Sequence, residues 1–139
     1  MAIRIVRLGT ARAKGEGVRL GTVRRPPRGV KKSDYARLDY YDAWLPELSP
    51  SAPLVKSIMG AEEVTPALWA KFAKGYRREM AAPERAHLLD ALARLSRGAD
   101  FSVGCYCEDE SRCHRSILRE ILAEHGARIT AGGAAGKGG

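Results

Sequence analysis

The chain has 139 residues, of which 45% are hydrophobic, and a formal net charge of +8 at pH 7. This length and apolar content are typical of one globular domain with one core. No apolar run approaches the roughly 20 residues that cross a bilayer, and the N-terminus has no signal-peptide pattern. These features argue against a membrane or secreted protein, and we expect a cytoplasmic location with no membrane partner.

Positive charge is concentrated in the first 32 residues, which hold ten Lys or Arg side chains and one acid, Glu16. Such an excess favours anionic partners, namely nucleic acid, nucleotides or phosphorylated metabolites. A solvated basic surface that only aids solubility is the plainer interpretation, because net charge says little about specific binding.

The first predicted elements are two short strands. Apolar and basic residues alternate in AIRIVRL (2–8), which is typical of a half-buried strand, and VRLGTV (18–23) predicts a second strand. The segment RRPPRGVKKSD (24–34) is a predicted loop because it contains two prolines and a glycine. In the irregular segment that follows, we expect Trp44 and Leu45 to anchor the chain to the core.

Three helices are predicted next, each from a start signal and an apolar stripe. The first has Ser51 as its N-cap, and the second has Thr65 as its N-cap and Pro66 at the first helical position. The third begins at Pro83 and ends at Gly98. We expect the following side chains to face the core: Leu54, Val55, Ile58, Met59, Trp69, Phe72, Ala73, Tyr76, Met80, Leu88, Leu92 and Leu95.

The last elements complete the predicted fold. DFSVGCYC (100–107) predicts a buried strand, CHRSILREILAEHG (113–126) predicts a helix, and ARIT predicts a final strand. Strands before and after a run of helices favour a single three-layer α/β domain over residues 1–130, with a mostly parallel sheet and flanking helices. The Gly-rich tail at 131–139 has nothing to bury, and we expect it to be flexible.

All three cysteines lie in CYCEDESRCHR, which joins the last predicted strand to the last helix. Ligands of open α/β sheets bind at the carboxyl ends of strands, near helix N-termini. With Ser111 as N-cap, Cys113 and His114 lie in the first helical turn, where the positive helix end lowers a thiol pKa. We therefore expect Cys113 to be the most reactive thiol, Cys107 to be intermediate and Cys105 to be inert.

Four interpretations of this segment remain open, and two of them use the thiols chemically. A zinc site formed by Cys105, Cys107, Cys113 and His114 fits the residue types, but adjacent helical residues diverge by about 100°, so the spacing is poor. Nucleophilic or redox chemistry at Cys107 or Cys113 is opposed by three consecutive acids and by the lack of a loop glycine. We expect no metal and no cofactor.

The other two interpretations need no reactive thiol. In one, His114 and Arg115 bind an anionic or nucleotide-like ligand and Glu108 orients a polar group, since an arginine and a helix N-terminus both suit phosphate. In the other, the cysteines pack as small hydrophobic residues, and an acid–arginine pair braces the turn.

The segment VGCYCEDESRCHRSILREIL resembles the signature of domain-of-unknown-function family 488: a hydrophobic strand, Cys and Glu, a polar loop, and Cys-His-Arg opening an apolar helix. In slightly compressed form, the signature corresponds here to Cys107, Glu108, Cys113, His114 and Arg115. From about residue 19 to residue 122, the order of segments is similar to the YeaO-like branch of that family. The resemblance implies a small cytoplasmic α/β domain and brings no established reaction, so catalysis by Cys107, Cys113 or His114 is an open hypothesis.

The branch has a strand-end segment Asp-Arg-Leu-Trp-Pro-Arg-Gly where this chain has RRPPRG. The acid and the tryptophan are missing here, so that the site residues that the resemblance implies in this loop are Arg24, Pro27, Arg28 and Gly29. We hypothesise that this loop and CEDESRCHR form one site for a small anionic or nucleotide-like ligand, with contacts from Arg24, Arg28, Glu108, His114 and Arg115. The alternative is a basic nucleic-acid-binding adaptor without catalytic activity, which uses residues 1–32 together with Lys71, Lys74, Arg77 and Arg78.

Overall fold

The computed structural model describes residues 1–130, and its centre is a parallel sheet of four strands in the order β1-β4-β2-β3. The strands are β1 (Ile3–Arg7), β2 (Val18–Gly21), β3 (Ala43–Trp44) and β4 (Phe101–Cys105). β4 lies between β1 and β2, and each of its five residues is buried. Of the predicted final strand, only a bridge between Ile3 and Ile129 is present.

Residues 1–130 also contain four α-helices, α1 (Ala52–Met59), α2 (Pro66–Met80), α3 (Pro83–Leu95) and α4 (His114–Glu124). The predicted helix starts are confirmed: Ser51 caps α1, Thr65 caps α2, and α3 begins at Pro83. Each cap side chain accepts a hydrogen bond from the backbone N–H group three residues further on. These starts could be predicted because capping depends on local sequence.

The main core lies between the sheet and the helices. It consists of alternate residues of β1 and β4 and of one face each of α2, α3 and α4: Ile3, Ile5, Phe101, Val103, Phe72, Tyr76, Met80, Leu89, Leu92, Ile117, Leu118, Ile121 and Leu122. Burial of each large apolar side chain contributes about 1.5–3 kcal/mol. The predicted fold class, a single α/β domain with a parallel sheet and flanking helices, is confirmed.

Three predicted core residues are in fact exposed. Met59 and Leu95, the last residues of α1 and α3, are 77% and 58% exposed. The buried face of α3 is formed by Leu89, Leu92 and Ala93, so the helix is rotated relative to the predicted stripe.

Trp44 is 41% exposed and anchors its segment through a hydrogen bond instead of burial. Its indole N–H donates to the carbonyl oxygen of Val23 at 2.6 Å, while Tyr41 and Leu48 take the buried positions nearby. The predicted flexible tail at 131–139 lies outside the described residues. Within residues 1–130, no helix is long and apolar enough to cross a bilayer.

The second face of the sheet is covered by irregular chain and a buried ion pair. Arg19 of β2 donates to both carboxylate oxygens of Glu16, at 2.7 and 3.0 Å, and to the carbonyl oxygens of Thr10 and Asp39. Ser102 of β4 donates to the same carboxylate at 2.6 Å. Burial opposes the ionisation of Glu16, but the hydrogen bonds from Arg19 and Ser102 outweigh it, and the pKa of Glu16 is lowered.

Replacement of Glu16 tests this ion pair. Glu16→Gln leaves Arg19 charged and unpaired in the interior, and we expect the free energy of unfolding at pH 7 to fall by about 3–5 kcal/mol. Urea denaturation measures this change. The exposed Glu63→Gln is the control, with an expected change within about 0.5 kcal/mol.

Glu16→Gln should also make the free energy of unfolding depend less on pH in the acid range. The folded pKa of Glu16 is lowered, so its contribution is complete above the unfolded pKa of about 4.3 and is lost as the pH falls through the folded value. The difference between wild type and Glu16→Gln should therefore shrink as the pH falls below about 4. A difference that stays constant down to pH 3 would contradict this assignment.

Candidate functional site

The candidate site lies at the carboxyl end of β4, where the central strand leaves the sheet. β4 ends at Cys105, two residues before the predicted end, and Cys107 lies in the segment beyond it. This is the edge of a parallel sheet at which ligands usually bind.

The start of α4 differs from the prediction. Residues 110–112 form a short 3₁₀ helix, and Cys113, in extended conformation, is the N-cap of α4. Ser111 is not this cap, because its backbone N–H and its hydroxyl both donate to the carboxylate of Asp109, at 2.9 and 2.7 Å. His114 is therefore the first residue of α4, and Cys113 precedes the helix.

The three cysteines form one cluster. The Sγ atoms of Cys105 and Cys113 are 2.6 Å apart, and both residues are buried. The backbone N–H of Cys107 donates to Sγ of Cys105 at 3.4 Å, which places Cys107 beside the buried pair. Of the three cysteines, all of which the structure describes, only Cys107 is exposed.

The cluster favours a thiolate at Cys107. Hydrogen bonds from Cys105 and Cys113 hold the pKa of Cys107 well below its usual range, against the opposing effect of burial. The hydrogen bond from Cys105 favours the Cys113 thiolate, but the bond to Cys107 and burial outweigh it and raise the pKa of Cys113 to about 11. The bonds to Cys107 and Cys113, together with burial, raise the pKa of Cys105 far above its usual range.

The structure therefore favours Cys107, not Cys113, as the most reactive thiol, against the expected order. Cys113 is 2% exposed and retains its proton at neutral pH. The reasoning failed because it placed Cys113 on a solvent-facing helix turn, whereas the residue packs under the strand end.

His114 holds α4 against the end of β2. Its Nε2 atom lies 2.8 Å from the carbonyl oxygen and 3.2 Å from the hydroxyl oxygen of Thr22. Burial lowers the pKa of His114 to about 4, so the ring is neutral at pH 7. Because a carbonyl oxygen only accepts, Nε2 carries the proton, and the unprotonated Nδ1 lies 3.8 Å from Sγ of Cys113.

Arg115 is buried directly behind the cysteine cluster. One terminal nitrogen donates to the carbonyl oxygen of Cys107 at 2.5 Å. Its Nε atom is buried and has no hydrogen-bond partner among residues 1–130. A buried N–H without an acceptor costs about 1–3 kcal/mol, so Arg115 has an unused donor at this site.

The loop RRPPRG touches the same strand end through its backbone. The Tyr106 hydroxyl donates to the carbonyl oxygen of Arg25 at 2.9 Å. The Arg24 guanidinium donates to the carbonyl oxygen of Pro50 at 2.9 Å, and Arg28 is exposed. Glu108 is also exposed, with its carboxylate 3.6 Å from Arg7.

The structure thus brings together the cysteines, His114 and Arg115, with Arg24, Arg28 and Glu108 towards the surface. Thr22 holds the His114 ring and is a site residue that the sequence pattern did not predict. The signal that could have found Thr22 is its position, since it is the polar residue that directly follows β2, beside the end of β4.

The cluster also has a donor set for a metal ion. The ligand atoms of Cys105, Cys113 and His114 lie within 4.8 Å of one another. The divergence argument against zinc does not hold, because Cys113 precedes the helix. Two thiolates on a tetrahedral zinc ion lie about 3.8 Å apart, given Zn–S bonds of about 2.3 Å. The observed 2.6 Å is shorter than the separation of two zinc-bound thiolates, so the pair as it stands does not fit a zinc site.

Alkylation should rank the thiols as the cluster geometry implies. With limiting iodoacetamide, we expect Cys107 to be modified at least tenfold faster than Cys105 or Cys113, as measured by peptide mapping. Between pH 5 and 7 its rate should change little, whereas free N-acetylcysteine in the same tube should lose about tenfold per pH unit. Faster labelling of Cys113, or the ordinary pH dependence at Cys107, would contradict this ranking.

Residues 3–126 match the family model DUF488-N3a, which is described as the active DUF488-N3 subclade. No curated protein and no solved structure matches the chain. The match does not identify the YeaO-like branch, which stays a prediction. The matched span runs from β1 to the end of α4 and contains the whole cysteine cluster, Thr22, His114 and Arg115. The chain therefore belongs to domain-of-unknown-function family 488, in its active N3 subclade.

Proposed function

We propose that this protein is a thiol-dependent enzyme that acts on a small anionic or nucleotide-like ligand, with Cys107 as the nucleophile. The observation that carries the proposal is an exposed cysteine beside two buried thiols at the end of the central strand of a parallel sheet. A thiolate is the nucleophilic form of cysteine. The description of the matched subclade as active supports turnover in addition to binding.

Arg115 supports an anionic ligand. Its Nε–H is buried and unpartnered, and after a local movement that opens it to the ligand, an oxygen of a phosphate or carboxylate would supply the missing acceptor. The same side chain holds the backbone of Cys107, so it would position the nucleophile and the anion together. His114 acts as a positioning residue, because its ring is neutral, buried and bonded to Thr22.

The acidic run 108–110 is a weaker obstacle to an anion than the sequence suggests. Glu110 accepts two hydrogen bonds from Arg119, at 2.7 and 3.0 Å. Asp109 accepts bonds from Ser111, and Glu108 lies near Arg7. Each carboxylate is thus engaged with a neighbour, which reduces the negative potential that an approaching ligand meets.

The alternative function, a nucleic-acid adaptor, has less support. Arg19 is buried against Glu16, and Arg77 is bound by two glutamates of α4 at 2.8 and 2.9 Å. Neither guanidinium is therefore available to a phosphate backbone. The exposed cations of the proposed α2 surface are Lys71, Lys74 and Arg78.

Ligand protection tests the proposed function. Millimolar inorganic phosphate or AMP should slow the alkylation of Cys107 at least threefold, because an anion on Arg115 covers the adjacent thiol. Arg115→Lys removes the Nε–H donor and should abolish the protection. Arg97→Lys, at an exposed arginine just after α3, should leave the protection intact. The rates are measured by quenched peptide mapping.

Two results would contradict the proposal. One is that neither probe protects Cys107 in the wild-type protein, and the other is equal protection in Arg115→Lys. A single-stranded oligonucleotide serves as the third probe. If it binds with an affinity that falls steeply with salt and that depends on Lys71 and Lys74, the adaptor function is favoured instead.

A further inference from the structure

The two buried sulfurs at the strand end are placed for a covalent link. Sγ of Cys105 and Sγ of Cys113 are 2.6 Å apart, closer than unbonded sulfurs normally lie. A disulfide bond is about 2.05 Å long, so a small side-chain rotation would form it. Cys105 ends β4 and Cys113 precedes α4, so the link would join the strand end to the start of the helix.

Burial keeps a dissolved oxidant away from this pair. Cys105 and Cys113 are both almost fully buried, so a molecule larger than water does not reach either sulfur. Cys107 is exposed and lies against the pair, because its backbone N–H donates to Sγ of Cys105 at 3.4 Å. Cys107 is therefore the thiol through which an external disulfide can react with the pair.

We propose that Cys105 and Cys113 form a reversible disulfide and that Cys107 transfers it from a low-molecular-weight disulfide such as oxidised glutathione. This modification site does not depend on the proposed enzymatic function, because it requires only the three sulfurs. The proposal accounts for a feature that nucleophilic catalysis alone does not require, namely the contact of the two buried thiols with each other.

The transfer takes three exchange steps. The Cys107 thiolate attacks one sulfur of the disulfide RSSR, forms Cys107–S–S–R and releases RS⁻. The Cys113 thiol gives its proton to that RS⁻, and the resulting thiolate attacks Sγ of Cys107 and expels the second RS⁻. The Cys105 thiol gives its proton to the second RS⁻ and attacks Sγ of Cys113, which releases the Cys107 thiolate. RSSR is reduced to two RSH, and Cys105 and Cys113 are oxidised to the disulfide.

The last step should run towards the buried pair. In thiol–disulfide exchange, the thiol with the lower pKa is the better leaving group. The pKa of Cys107 is lowered and that of Cys105 is raised, so Cys107 leaves in preference to Cys105. The product also has a consequence for the exposed thiol, because Cys107 loses both hydrogen bonds that stabilise its thiolate.

Oxidation with glutathione disulfide tests the proposal. We expect the intact mass to fall by two hydrogen atoms without a retained glutathione, and peptide mapping should place the link between Cys105 and Cys113. Dithiothreitol should restore the original mass. In the oxidised protein, alkylation of Cys107 at pH 6 should be at least tenfold slower than in the reduced protein.

Serine variants separate the steps. Cys107→Ser should form the disulfide at least tenfold more slowly, and Cys113→Ser should retain glutathione on Cys107. Cys105→Ser should stop at a link between Cys107 and Cys113. Equal oxidation rates in wild type and Cys107→Ser would overturn the transfer role of Cys107.

The wild-type protein decides the proposal even where a variant fails to fold. A mapped link that involves Cys107, a retained glutathione, or one zinc ion per chain in the purified protein by native mass spectrometry would each overturn it. Loss of anion protection at Cys107 would count against the proposed function and leave the disulfide unaffected, so the two failures are distinguishable.

Discussion

The buried ion pair between Arg19 and Glu16 organises the face of the sheet that no helix covers. A charged pair in the interior is tolerated only when further hydrogen bonds satisfy both partners. Here Ser102 donates a further hydrogen bond to the carboxylate of Glu16. The guanidinium of Arg19 donates to backbone carbonyl oxygens in the segments before and after β2. Those segments pack as a third layer over β2 and β4, although they contain neither an α-helix nor a long apolar stripe. The sheet can therefore be closed on both faces with helices on one face only.

β2, the strand that contains Arg19, also connects this ion pair to the candidate site. Three residues after Arg19, the backbone N–H and hydroxyl of Thr22 both donate to the carbonyl oxygen of Gly104, at 2.9 and 3.0 Å, which holds the ends of β2 and β4 together. The carbonyl oxygen of Thr22 then holds the His114 ring, and His114 opens the helix behind the thiols. The position of Cys113 thus depends on the register of β2.

Local signals made much of the fold predictable, and tertiary packing decided the rest. Ser51, Thr65 and Pro83 act on their own helix ends, so their roles could be predicted from the sequence. Arg19 looks in the sequence like one more surface cation of a basic strand, because its partner network is formed by segments that meet only in the fold. The rotation of α3, which exposes Leu95, likewise depends on how the helix seats against its neighbours.

The sequence predicted where the candidate site lies, but not how its thiols are arranged. The segment that holds the cysteines does follow β4, as the strand pattern predicted, because alternation and burial mark a central strand. Which thiol is exposed depends on the path of the backbone at Asp109 and Ser111. These two residues form a turn where a helix start was expected. A local side-chain bond therefore displaced the cap and, with it, the predicted reactive thiol.

Electrostatic repulsion limits how many of the three cysteine thiols can be ionised at one time. The lowered pKa of Cys107 and the raised pKa of Cys113 favour a single thiolate at neutral pH, because a second thiolate beside the first is strongly disfavoured. That charge lies on the exposed sulfur, where it reacts with solutes, and the two protons lie on the buried sulfurs, where they stabilise it. A disulfide between the buried sulfurs would remove both donors, so the arrangement that activates Cys107 is also the one that oxidation would switch off.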